Sequence, residues 1–261
     1  MDLGLNNKHA LVLGASQGLG LAVAKALLAE GASVTLNGRA LDRLEAARQS
    51  LPKEQQAMCH LALADLSDPD AANKISKAAQ SHGPVDILVN NTGGPPPGLP
   101  SGVDVDVVSA QFDAMVRPVL SLTLNLIAAM RAQKWGRIIT IASSGVVQPI
   151  PHLPISNALR STLVGFMKTL AGEVAKDGVT VNMLLPGRIA TARTRSLDAA
   201  QAERNGRPVE HISAESAATI PAGRYGTVEE FAAVAAFLAG VPASYVTGSM
   251  LRVDGGAIRS I

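Results

Sequence analysis

Cysteine, aromatic side chains and charge are all scarce in this chain. A single cysteine among 261 residues, Cys59, leaves no internal disulfide to expect, and no cluster of Cys and His has metal-ligand spacing. Charged residues make up 17% against 47% hydrophobic, a balance that favours extensive burial and argues against disorder. A formal charge of +2 is too small to point to nucleic acid or an anionic membrane as the main partner. No uninterrupted apolar run reaches the roughly 18 residues of a membrane helix. The most apolar stretch, residues 115–130, is broken by Arg117, Pro118 and Asn125. The opening "MDLGLNNKHALVLGA" has no long apolar core behind a basic end, so no signal peptide is expected, and the expected location is the cytoplasm. Tyrosine is also rare: Tyr225 and Tyr245 are the only two.

Present instead is an alternation of short β-branched or aliphatic runs with longer helical patterns. "HALVLGA", "SVTLNG", "MCHLALAD", "DILVNN", "RIITIAS", "VTVNMLL" and "SMLRVDGG" read as strands. Helical patterns occupy residues 19–30, 41–50, 70–81, a long span at 105–132, and 154–176, the last with Leu159, Leu163, Phe166 and Leu170 on one stripe. Strands that are apolar throughout, each followed by a helix, imply an α/β fold with a parallel sheet covered on both faces. No linker divides the series, so residues 1–261 are expected to form one domain. Two segments break the rhythm. Residues 91–102, "NTGGPPPGLPSG", are a Pro/Gly-rich loop after the fourth strand, and residues 187–224 are long, polar and only partly helical. Both follow strand ends, where open α/β sheets bind ligands, and the second is expected to be a substrate lid.

The stretch "LVLGASQGLGLAVAKALLAEGASVTLNGR" carries the chemistry of a nucleotide site. Gly14 ends the first strand, and Gly18 and Gly20 follow at the start of a helix. Glycine is required where the backbone turns tightly and must approach a pyrophosphate without a Cβ in the way. The helix N-terminus then presents free N–H groups and partial positive charge to the phosphates. At the tip of the second strand, an acidic side chain would bind the adenosine ribose and repel a 2′-phosphate. Here the tip is Asn37-Gly38-Arg39, with a guanidinium and no carboxylate, which favours NADP over NAD.

With "ADL" at Asp65, "NNTG" at residues 90–93, the strand end at Ser143, "PGRIAT" at 186–191 and "YVTGSMLRVDGG", these residues resemble the short-chain dehydrogenase/reductase superfamily. Among its members the chain is most similar to the β-ketoacyl-acyl-carrier-protein reductases, over residues 5–258. The resemblance implies one Rossmann-type domain with a seven-stranded parallel sheet. It implies that Gly14, Ser16, Gln17, Gly18, Leu19 and Gly20 hold the pyrophosphate and that Asp65 and Leu66 flank the adenine. Asn91, Thr92 and Gly93 would lie nearby, and Pro186, Gly187, Ile189 and Thr191 would position the nicotinamide. It also implies a homo-oligomer, a tetramer or dimer. One mild departure is Leu13 where the family usually has threonine.

The catalytic half departs further. The family's tetrad is Asn, Ser, Tyr and Lys, with Tyr thirteen residues after Ser and Lys four after Tyr. Counting from Ser143 reaches Ser156 and then Arg160, and the Asn position falls near Val119. In the family the tyrosine protonates the substrate oxygen while the lysine lowers its pKa and holds the cofactor ribose. A serine hydroxyl is a far weaker acid than the phenol it replaces, whose unperturbed pKa is about 10. Arg160 keeps a permanent charge and hydrogen-bond donors without a proton to give. His152, in "PIPHLPIS", is the candidate substitute donor, since histidine is the common proton donor and acceptor of enzyme sites. Two readings stay open at this point: an NADP-dependent oxidoreductase acting on a small-molecule carbonyl/alcohol pair with a divergent site, or a catalytically impaired NADP-binding scaffold, sensor or inactive subunit.

Overall fold

Strands that are apolar on both sides need a helical layer on each face, and a computed structural model describing residues 1–260 shows that arrangement. The strands are β1 (His9–Val12), β2 (Ser33–Gly38), β3 (Cys59–Leu63), β4 (Ile87–Asn90), β5 (Gly136–Ile141), β6 (Val179–Pro186) and β7 (Met250–Val253). They pair in parallel in the order β3-β2-β1-β4-β5-β6-β7. The helices are α1 (Gly18–Ala29), α2 (Leu41–Gln49), α3 (Lys53–Ala57), α4 (Ala71–Gln80), α5 (Val105–Met115), α6 (Arg117–Ala132), α7 (Pro154–Val174), α8 (Ala192–Asn205), α9 (Val209–Ala218) and α10 (Val228–Ala239).

Two hydrophobic cores sandwich the sheet. On one face α1, α2 and α10 contribute Val23, Leu27, Leu44, Phe231 and Leu238. On the other, α4, α6 and α7 contribute Ile75, Leu122, Leu126, Leu159, Leu163 and Met167. Burying one such side chain fully contributes about 1.5–3 kcal/mol. The seven expected strands are all present, and the sheet's outer strands β3 and β7 are the least buried, as edges should be.

The structure departs from the sequence reading in the helices. The long pattern at 105–132 is two helices that meet at Val116. Pro118 is the physical cause, because it has no N–H to donate to the preceding turn and its ring crowds that turn. Although this span is apolar enough by composition to cross a membrane, with mean hydropathy 1.3, Val119, Leu122, Leu126 and Met130 of α6 face the protein core. On α7 the buried stripe runs through Met167, and Phe166 is only half-buried. Helix α10 has no counterpart in the sequence reading, although Thr227 and Glu230 form a reciprocal capping box at its start. Residues 187–224 contain α8 and α9, joined to the β6 end by the Arg188–Asp198 ion pair.

Candidate active site

Between β1 and β4 the strand order reverses: β1 leads outward to β2 and β4 to β5. Connections leave this point in opposite directions, which opens a crevice beyond the carboxyl ends of the strands. The segments after β1, β4, β5 and β6 converge there, and they carry most of the residues singled out from the sequence.

The glycine loop follows β1. Gly14 and Gly18 have φ of +55° and +59°, a left-handed backbone that favours glycine. Gly20 is required for a different reason, since a Cβ there would collide with the Gly14 carbonyl and the Asn91 amide. The Asn91 Nδ2 donates to the carbonyls of Leu13 and Gly14, each at 3.2 Å, and so braces this loop from the β4 end. Helix α1 begins with no side-chain cap at Gln17 and no acidic residue in its first turn. Its free N–H groups and positive end therefore face the loop of Gly14, Ser16, Gln17, Gly18 and Leu19. Gly18 also marks where this loop meets the β6 end, with the Thr191 methyl 3.9 Å from where a Cβ would stand. Thr191 itself caps α8 by accepting the Thr194 N–H.

At the β2 tip Asn37 braces the sheet. Its side chain is buried and donates to the Ala62 and Ala64 carbonyls at 3.0 and 3.2 Å, tying β2 to β3. Arg39 is exposed and borders a cavity of about 450 Å³ with Ser16, Gln17, Ala40, Asp42 and Arg43. Arg43, on the first turn of α2, went unnoticed in the sequence, and the structure brings it to the same cavity as Arg39. Asp65 lies at the next strand end. The Ser67 N–H and hydroxyl both donate to its Oδ1, and these bonds hold its carboxyl below the usual range, helped by the Arg39 charge. Leu66 packs half-buried against the core beside it.

Thr92 follows β4, and its Oγ1 is buried without a hydrogen-bond partner. Beside it Gly93 is exposed, with open space where a Cβ would project. On the β6 side, Gly187 lies so close to the Asp254 backbone that a Cβ would stand 2.6 Å from its Cα. Pro186 ends the strand, and Ile189 packs its side chain into the core. An uncapped helix end, a glycine-lined floor and an orphaned threonine hydroxyl fit a dinucleotide lying across the switch point.

The remaining group surrounds the β5 end and the start of α7. Ser143 is half-buried and its Oγ accepts the Gly145 N–H at 3.0 Å, which leaves the hydroxyl proton free to donate elsewhere. Ser156 is buried at 8% exposure in the first turn of α7, directly behind Pro154. Arg160 is also buried, at 9%, and donates to the carbonyls of Ile141 and Gly93, each at 3.0 Å. Burial, with Arg193 nearby, lowers its pKa to about 10, still a cation at neutral pH. Val119 is fully buried in α6. His152 is exposed in a left-handed conformation with φ of +61°, and its carbonyl accepts the Gly98 N–H, joining the two loops that flank the site.

Asn157 was missed in the sequence. Its side chain accepts from the Ile150 N–H and donates to the Ile150 carbonyl, clamping residues 143–153 onto α7. A Cβ at Gly145 would run into its Oδ1, so the Gly145/Asn157 pairing sets the turn that carries Ser143. Neither tyrosine reaches this group by hydrogen bonding: Tyr225 donates to Asp198 at 2.9 Å, and Tyr245 is fully exposed.

Comparison with known proteins agrees with this geometry. Residues 8–202 match the short chain dehydrogenase family. The chain is 30% identical over 259 residues to the NADPH-dependent reductase BacG of Bacillus subtilis, covering 98% of this chain and 100% of that protein. It is 34% identical over 257 residues to the 3-oxoacyl-acyl-carrier-protein reductase FabG of Escherichia coli, covering 97% and 98%. Among solved structures, L-sorbose reductase of Gluconobacter frateurii complexed with NADPH and L-sorbose superposes with a TM-score of 0.94 at 32% identity over the whole of both chains.

Proposed function

Because the chain belongs to the short-chain dehydrogenase family, we propose that it is an NADP-dependent reductase of a small-molecule carbonyl, working with a divergent catalytic set. The observation that carries this reading is the convergence of the glycine loop, the Arg39/Arg43 cavity and Ser143 around one crevice, in a chain similar to reductases that use NADPH. Gly14, Ser16, Gln17, Gly18, Leu19 and Gly20 would hold the pyrophosphate on the α1 end, and Arg39 with Arg43 the 2′-phosphate. Asp65 and Leu66 would border the adenine. Asn91, Thr92, Gly93, Pro186, Gly187, Ile189 and Thr191 would line the nicotinamide half. The bound cofactor supplies the hydride that reaches the carbonyl carbon.

The protein's own work is then to orient the carbonyl and deliver a proton to its oxygen. Ser143 donates its free proton as a hydrogen bond to that oxygen, oriented by the Gly145 N–H behind it. Arg160 replaces the family's lysine as the fixed cation next to the ribose, held by the Ile141 and Gly93 carbonyls. Ser156 lines the site in place of the tyrosine and is too weak an acid to act alone. His152, on the loop that enters α7, supplies the proton, and residues 187–224 close over the substrate. NADPH oxidation with a panel of ketones and aldehydes tests this. Ser143→Ala should lower kcat by about 10²–10³-fold, the usual loss of one positioned donor. His152→Ala should lower kcat by about 10²–10⁴-fold, the usual contribution of one general acid. Turnover unchanged across pH in His152→Ala would exclude that residue as the donor.

A further inference from the structure

Two arginines sit on either side of the loop backbone after β4 with no acid between them. Arg160 reaches Gly93 from α7. Arg193, in the first turn of α8, reaches from the opposite side, with its Nη2 donating to the Pro95 carbonyl at 2.6 Å. Its guanidinium lies against Gly94, where a Cβ would stand 3.2 Å from Nη2. Burial lowers the pKa of both groups, and the charge of Arg193 lowers that of Arg160 further, which places the two cations within each other's field. Among the described residues no carboxylate forms an ion pair with either, whereas Arg188, Arg207 and Arg224 each have one.

Burial alone does not explain the pair. Arg137, at the other end of the sheet, is buried without an acid. Its guanidinium donates to the Gly240, Gly136 and Gly178 carbonyls and packs over the Trp135 ring at 4.4 Å, which satisfies it within the fold. Arg193 differs: its guanidinium is part-buried on a residue otherwise exposed, and one backbone carbonyl is its only partner among the described hydrogen bonds. A guanidinium has five donors in a planar fork suited to a carboxylate. A cofactor ribose on Arg160 would bring hydroxyl groups and no negative charge, so two cations would remain beside the reacting carbonyl.

We propose that Arg193 binds a carboxylate of the substrate, with Arg160 behind it adding to the positive field, so that the substrate is a compact oxo acid. This rests on the reductase reading above and narrows it. Arg160 links the two ends of this site: it bonds to Ile141, two residues before Ser143, and to Gly93, next to the Gly94 backbone that Arg193 lies against, which suits a carboxylate and a carbonyl on one short substrate. Arg193 lies on the first helix of residues 187–224, so a carboxylate on its fork would also hold that segment against the Gly93–Pro95 backbone.

The test is thermal denaturation of the protein saturated with NADPH, with pyruvate, acetoacetate and levulinate added separately and then as their methyl esters. The expected result is that at least one acid raises Tm while its ester does not, and that Arg193→Gln abolishes this response with NADPH affinity unchanged. An acid response that survives in Arg193→Gln, equal responses to acid and ester, or no response to any acid would overturn the assignment while leaving the reductase reading in place. Failure of the unmodified protein to bind NADPH would remove that reading and this inference together.

Discussion

At the scale of single residues, the site depends on side chains that hold other groups in place. Asn157 is the clearest case, because its two bonds to Ile150 fix the loop that presents Ser143 and His152. Asn157→Ala should lower kcat by about 10²-fold through misplacement of that loop, with the NADPH dissociation constant unchanged. A parallel loss of kcat and NADPH affinity would show general unfolding of the site and not mispositioning. Residue identity also explains which parts of the site could be read in advance. Gly14, Gly18 and Arg39 stand out by type and spacing, whereas Ser143 and Arg160 stand out only through the resemblance to the family's tetrad. Asn157 and Arg43 do not, since an asparagine or an arginine on a helix gives no sign of its partner until the loop beside it is placed. Asn37 shows the converse. A polar side chain at a strand tip invites a ligand role, yet its amide is occupied by the neighbouring strand.

At the scale of elements, period and composition revealed the seven strands and most of the helices, since apolar β-branched runs can be buried only in a covered sheet. Boundaries suffered where a local effect competes with periodicity. Apolar spacing runs unbroken through residues 105–132, but the backbone at Pro118 cannot follow it, and α5 and α6 separate at Val116. Helix α10 was overlooked although its capping box is a sequence signal, because its alanine-rich inner face gives a weak stripe. Helices α5 and α6 also leave Val105, Val107 and Leu124 exposed. Such side chains on adjoining helices suit contact with a second copy, and we propose a dimer or tetramer built there. Light scattering should return a multiple of the 26.9 kDa chain, and Leu124→Lys should lower that mass. A monomer mass at micromolar concentration would contradict the assembly.

At the scale of the whole molecule, the end of the sheet opposite the site carries its own pH response. The rings of His60 and His82 stack at 3.7 Å, and His9 meets His60 edge-on. Burial lowers the pKa of both His9 and His60 below the ordinary 6.5, and in His60 the nearby His82 and His9 add to this. The unfolded chain therefore binds more protons than the folded one as pH falls through about 6.5, so stability decreases on acidification in that window. The carboxylates with lowered pKa, Asp65, Asp68, Asp177, Glu215 and Glu230 (the last at about 2), lose their contribution only at lower pH. Tm should fall between about pH 7.5 and 5.5, and His60→Gln should flatten that fall. A Tm that is level over this range, or an identical slope in the variant, would remove the histidine cluster as its cause.

The proposed reductase activity requires a dinucleotide lying across the β1/β4 switch point with its 2′-phosphate on Arg39 and Arg43. Fluorescence titration of the purified protein with NADPH and then NADH tests this most directly, with the Arg39→Ala/Arg43→Ala double variant alongside. The expected result is micromolar NADPH binding, tighter than NADH, with the preference lost in the variant. Tighter NADH binding, or no binding of either nucleotide, would contradict it.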